Sequence, residues 1–186
     1  MKRMYNFLSR NTGILTFLLC LVFYVLPFKP KPFGDGEYHR GTLQLLEYIS
    51  HGFTGQVEVS KGFFTLLYYA IPYSLTAWLD NQKILLLAGL LFNWLAVSYG
   101  VQRLLGALRE AGLTPKLCAG VFVLMNLFPI HIYYSMGILS EAPAFLLVSL
   151  VCRLVISSLS NTGIREYVEA VSLLWNFPGV VHFCSS

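Results

Sequence analysis

A chain of 186 residues that is 56% hydrophobic and only 12% charged, with a mean hydropathy of +0.63, departs from soluble domains, which are about half apolar and a quarter charged. Its net charge of +4 does not point to nucleic acid, because the basic residues flank apolar runs instead of gathering on one patch. Cys20, Cys118, Cys152 and Cys184 lack CxxC spacing and three of them lie within apolar runs, which indicates neither a disulfide framework nor a zinc site.

Residues 1–10 are basic and 11–28 apolar. No small-residue cleavage site precedes Lys29, so the segment reads as a retained first span at about 12–28 rather than a signal peptide. Further charge-free runs at 62–79, 84–102 and 117–140 each approach the roughly 20 residues needed to cross about 30 Å of hydrocarbon. A fifth run, 142–159, contains Arg153, whose long side chain can snorkel to a membrane interface. The expected fold class is all-α, a polytopic transmembrane helical bundle with an outer amphipathic juxtamembrane helix.

Between the first two runs lies an outer loop, 29–61. Its opening Lys29-Pro30-Lys31-Pro32 favours extended backbone and stops the first helix. The spacing then predicts a helix over 38–53 at the membrane surface. It sets Leu45, Leu46, Ile49 and Phe53 on one face and Arg40, Gln44, Glu47 and His51 on another.

Charge asymmetry decides the expected path. If 62–79 dips in or lies along the outer surface, eight Lys and Arg residues fall on the cytoplasmic side and five outside. If it crosses fully, the split becomes four against nine, which violates the positive-inside tendency. Tyr68, Tyr69, Pro72, Tyr73 and Trp78 also suit an interfacial or re-entrant segment. The spans are therefore about 12–28, 84–102, 117–134 and 142–159, with the N-terminus cytoplasmic.

The densest polar cluster, Gly34-Asp35-Gly36-Glu37-Tyr38-His39-Arg40, follows the first span. Asp35 or Glu37 can deprotonate or orient a hydroxyl, and two nearby carboxylates can hold a divalent cation. Equally, the cluster fits a solvated turn whose acids favour a helix N-terminus. Lys61 is placed to hold a lipid phosphate, although a lysine at an interface is ordinary. Ser140-Glu141 opens the last span on the outer side, and a helix N-terminus explains Glu141 as well as chemistry does. His131 and Tyr133 read as interfacial anchors without chemistry.

An acidic motif after the first span, an amphipathic outer helix, the Lys-led aromatic segment Lys61-Gly62-Phe63 and the later Ser140-Glu141 helix start together resemble the N-terminal part of GT-C glycosyltransferases. Aminoarabinose and protein mannosyl transferases belong to that superfamily. The resemblance covers about 11–159, and Lys61-Gly62-Phe63 lacks the prolines of the Lys-Pro-Pro found in some members. It implies transfer of a sugar from a polyprenyl-phosphate donor to an acceptor on the outer face, in a bacterial inner (plasma) membrane.

Asp35 and Glu37 are then the catalytic candidates, and Arg40, Lys61 and Glu141 the substrate-binding ones. The expected partners are membrane lipid, the donor and another membrane subunit, with no nucleic acid. Members of the superfamily carry many more spans, so the chain is expected to be an incomplete GT-C-like module, inactive as a fragment unless completed. The rival reading is a small non-catalytic membrane subunit for assembly or transport.

Overall fold

The computed structural model describes residues 2–25, 36–54, 62–79 and 81–161, and all regular structure among them is helical. In chain order the helices are α1 (Lys2–Arg10), α2 (Thr12–Val25), α3 (Gly36–Ser50), α4 (Phe63–Thr76), α5 (Gln82–Glu110), α6 (Pro115–Leu127), α7 (Ile130–Tyr134) and α8 (Glu141–Asn161). Asp35 and Lys61, two of the expected site residues, lie outside the described residues.

The axis of the molecule is α5, 29 residues and about 43 Å long. Asn81 caps its start by accepting from the Lys83 amide at 3.0 Å. At its end Gly112 takes φ 95°, which costs glycine little, and the Leu113 amide bonds back to the Leu108 carbonyl at 3.0 Å. Two residues later Thr114 caps α6, with Pro115 at the first helical position, where its missing N–H is harmless.

Three helices lie along α5, and their direction follows from residue pairs. Gly13 of α2 faces Ser98 and Gln102, while Tyr24 packs edge-on against Trp94 with ring centroids 5.3 Å apart. So α2 runs antiparallel to α5. Within α4, Tyr68 and Tyr69 reach Phe92 and Asn93, and Tyr73 lies against Gly89, so α4 and α5 form an antiparallel hairpin closed by a 3-10 turn at Ala77–Leu79. A Cβ on Gly89 would stand 2.7 Å from Ile138 and 3.2 Å from Tyr73, so glycine is what lets the hairpin close. In contrast α8 runs parallel to α5, since the loop before it meets Asn93 and its Phe145 and Ser149 meet Gly100.

A core rich in aromatics, with Tyr68, Tyr69 and Trp94 packed together with Ile132 and Ile138, joins α4 and α5 to α7 and the loop before α8. A second core of Val97, Val101, Leu105, Phe122 and Ala142 continues along α5. Outward-facing positions are also apolar, among them Ile14, Leu18 and Val22 on α2, and Leu147, Val148, Val151 and Leu154 on α8. Only 17% of the most apolar stretch of α8 is buried inside the protein, so the rest needs an apolar surrounding. Both α5 and α8 are long and apolar enough to cross a membrane, and α1 with α2 makes a third candidate if their 75° bend lies within one span. These helices mark a membrane protein.

Three expectations change. The stretch 117–134 is not one helix: α6 stops at Leu127 and α7 starts at Ile130, because Pro129 has no N–H to carry the ladder across. The α3 face that is buried is Tyr38, Gly41, Thr42 and Leu45, whereas Ile49 and Phe53 point outward. Finally, Glu141 stands level with the middle of α5, since Gly137 and Leu139 just before it are tied to Asn93 and Tyr69.

Candidate functional site

The site is built on two tyrosines one turn apart on α4. Tyr69 is fully buried, and its hydroxyl donates to the Leu139 carbonyl at 2.7 Å. The same oxygen accepts from the Leu139 amide at 2.9 Å and from Asn93 Nδ2 at 3.0 Å. Asn93 Nδ2 also donates to the Gly137 carbonyl at 2.7 Å. Residues 135–140, which have no helix of their own, thus have several of their backbone groups paired by side chains of α4 and α5.

One turn further along α4, the Tyr73 hydroxyl and His39 Nδ1 share a hydrogen bond of 2.8 Å. Their rings meet edge-on at 5.5 Å. His39 belongs to the first turn of α3, together with Glu37 and Arg40, both exposed. The rings of Tyr69 and Tyr73 meet at 6.5 Å, so an aromatic contact separates two hydrogen-bonded groups, one at the first turn of α3 and one at the loop before α8.

Glu141 heads α8, where its carboxylate accepts from Ser140 Oγ at 3.5 Å and lies within electrostatic reach of the Tyr69 phenol. It borders a groove of about 400 Å³ whose other walls are Met125, Phe128, Ile130, His131, Tyr134 and Phe145. His131 stacks on Phe145 at 5.6 Å, and its Nε2 is buried without a partner among the described residues. The groove therefore joins an apolar trough to one carboxylate and one imidazole nitrogen with spare capacity.

Of the expected residues, Glu37 and Arg40 flank His39 on α3, and Glu141 heads α8 two residues beyond Leu139. Asp35 directly precedes α3 in sequence but lies outside the described residues, as does Lys61. Among the described residues no group of three or more His, Cys, Asp and Glu is placed to hold a metal ion.

Sequence reasoning missed Asn93, His131 and the two tyrosines as positioning groups. A signal existed for Asn93: it is the amide at the centre of the charge-free run 84–102, and a polar side chain inside an apolar helix usually has a partner to find.

Acidification tests the α3–α4 contact. Burial holds the His39 imidazole below its ordinary pKa, so the folded protein favours the neutral ring. The stability this gives is complete above about pH 6.5, the ordinary value, and is lost as pH falls through the lowered one. Wild type is expected to lose more thermal stability between pH 7.5 and 5.5 than His39→Gln. Equal losses in the two proteins would remove His39 as the titrating group.

Compared with protein-family models, with curated proteins and with solved structures, the chain finds no match.

Proposed function

We propose that the chain carries out a GT-C-like reaction, transferring a sugar from a polyprenyl-phosphate donor to an acceptor hydroxyl at the outer face of the membrane. The observation that carries this reading is the apolar groove that ends at the Glu141 carboxylate. A trough lined by Met125, Phe128, Ile130 and Phe145 suits an isoprenoid tail. The Glu141 carboxylate repels a phosphate, so it faces sugar or acceptor hydroxyls, while Arg40 or Lys61 meets the phosphate.

In this reaction the acceptor oxygen attacks the anomeric carbon and the bond from that carbon to the phosphate oxygen breaks. Asp35 takes the acceptor proton, and Arg40 or Lys61 stabilises the departing polyprenyl phosphate. The deciding assay is movement of labelled sugar from a polyprenyl-phosphate donor in membranes holding the protein. Transfer above empty-membrane background is expected. Failure with a panel of polyprenyl-phosphate sugars, with the protein folded, would favour the non-catalytic subunit.

The reading also fixes a topology: the N-terminus and the α5–α6 turn are cytoplasmic, Asp35 and Lys83 external. Positions 83 and 109 lie 26 residues apart on one unbroken helix, about 39 Å, so they cannot share a side if α5 crosses. Single cysteines at 83 and 109 in a cysteine-free protein are expected to label from outside and from the cytoplasm respectively. The reverse pattern would sink the orientation, and the outer-face assignment with it.

A further inference from the structure

At the opposite end of α5 from Lys83, a separate pocket of about 240 Å³ is lined by Gln102, Arg103, Gly106, Arg109 and Glu110 of α5 and by Arg153 of α8. The α5 residues recur at one-turn spacing, so they share one face of the helix, and Arg153 borders it from α8. Gly106 leaves the floor open: a Cβ there would meet nothing within 4 Å. Two of the arginines make other contacts. Arg103 lies over the Tyr99 ring at 4.7 Å, and Arg109 Nη1 donates to the Ser9 carbonyl at 3.4 Å. Three guanidinium groups face one carboxylate, and among the described residues none of the three forms an ion pair.

We propose that this pocket binds a phosphate group, either the headgroup of an anionic lipid or a free phosphate. Several arginines converging on one small concavity match the charge and the fork geometry that phosphate oxygens take. The surplus of positive charge sits at the end of two apolar helices, where a lipid headgroup lies. Glu110 is the one lining group that opposes the ligand, and this gives the pocket an electrostatic signature. The site is separate from the groove at Glu141 and does not depend on the transfer reaction.

Two arms distinguish the sources. Equilibrium dialysis of the detergent-solubilised chain with labelled inorganic phosphate reports the free ion. Native mass spectrometry of the chain from phosphatidylcholine nanodiscs doped with phosphatidic acid reports retained lipid.

Binding is expected in at least one arm, weakened about fivefold by Arg153→Gln or Arg103→Gln, the scale of one basic residue near a charged surface. Gly106→Leu fills the cavity without changing charge and is expected to weaken binding as much. Glu110→Gln is expected to tighten it, and Lys116→Gln, which removes a nearby charge outside the pocket, to leave it unchanged. Absence of binding in both arms overturns the proposal. So does a Lys116→Gln loss equal to that of Arg153→Gln, or Gly106→Leu binding like wild type, because diffuse surface charge would then suffice.

Discussion

Asp35→Asn is expected to lower sugar-transfer turnover by about 10²-fold or more, the scale of losing a positioned acid or base, with Glu37→Gln much milder. The amide is chosen because asparagine caps a helix about as well as aspartate. Asp35 precedes Gly36, the first residue of α3, so a role limited to starting that helix survives the change. A base is lost. Glu37 stands exposed in the first turn of α3, where a negative charge favours the helix dipole by about 0.3–1 kcal/mol. The check is initial rate of labelled-sugar transfer in membranes, with protein levels matched by immunoblot. Activity kept in Asp35→Asn but lost in Glu37→Gln would exchange the two roles, and full activity in the double variant would remove this segment from the chemistry.

Tyr69→Phe is expected to destabilise the fold by about 2 kcal/mol, within the range for leaving buried groups unpaired. The ring stays, so the aromatic core with Tyr68 and Trp94 keeps its packing. What goes is one oxygen that serves the Leu139 amide, the Leu139 carbonyl and Asn93 Nδ2 together. Asn93→Leu is expected to cost a similar amount, and the double variant less than the sum, because both changes dismantle one network. Thermal unfolding in detergent measures the loss. Hydrogen exchange at residues 135–140 locates it. A Tyr69→Phe protein with the wild-type midpoint and wild-type exchange would show that the loop is held by packing alone.

How much of this was legible follows from the kind of signal each element carries. The cores of α5 and α8 announce themselves as long charge-free or nearly charge-free runs, and both helices are long and apolar enough to cross a membrane. Hydropathy is a one-dimensional count, however, and it passes over Pro129, where the run 117–134 breaks into α6 and α7. On α3 periodicity identified a helix and two faces, but which apolar residues are covered depends on α4. Tyr38 and Leu45 meet it, while Ile49 does not.

Glu37, Arg40 and Glu141 stood out as candidates by residue type alone. The hydrogen bonds of Tyr73 and Tyr69 were not legible, because they join positions 34 and 70 residues apart, His39 to Tyr73 and Tyr69 to Leu139. The basic pocket at Arg153 had the same obstacle. Single arginines near helix ends read as orientation signals until α8 is seen running beside α5.

The level at which α8 begins has an electrical consequence. With α5 as the proposed span, Lys83 and Arg103 stand about 30 Å apart along its axis, one bilayer thickness, and Asn93 lies midway. The loop tied to Asn93 therefore sits near mid-membrane, where backbone outside a helix survives only if protein supplies its partners. Tyr69 and Asn93 are those partners. Glu141, just beyond, then lies about halfway down the voltage drop across the membrane. Any step that moves a proton or a charged group between Glu141 and the outer solution works with or against about half of the membrane potential, so its rate responds to how strongly the membrane is energised.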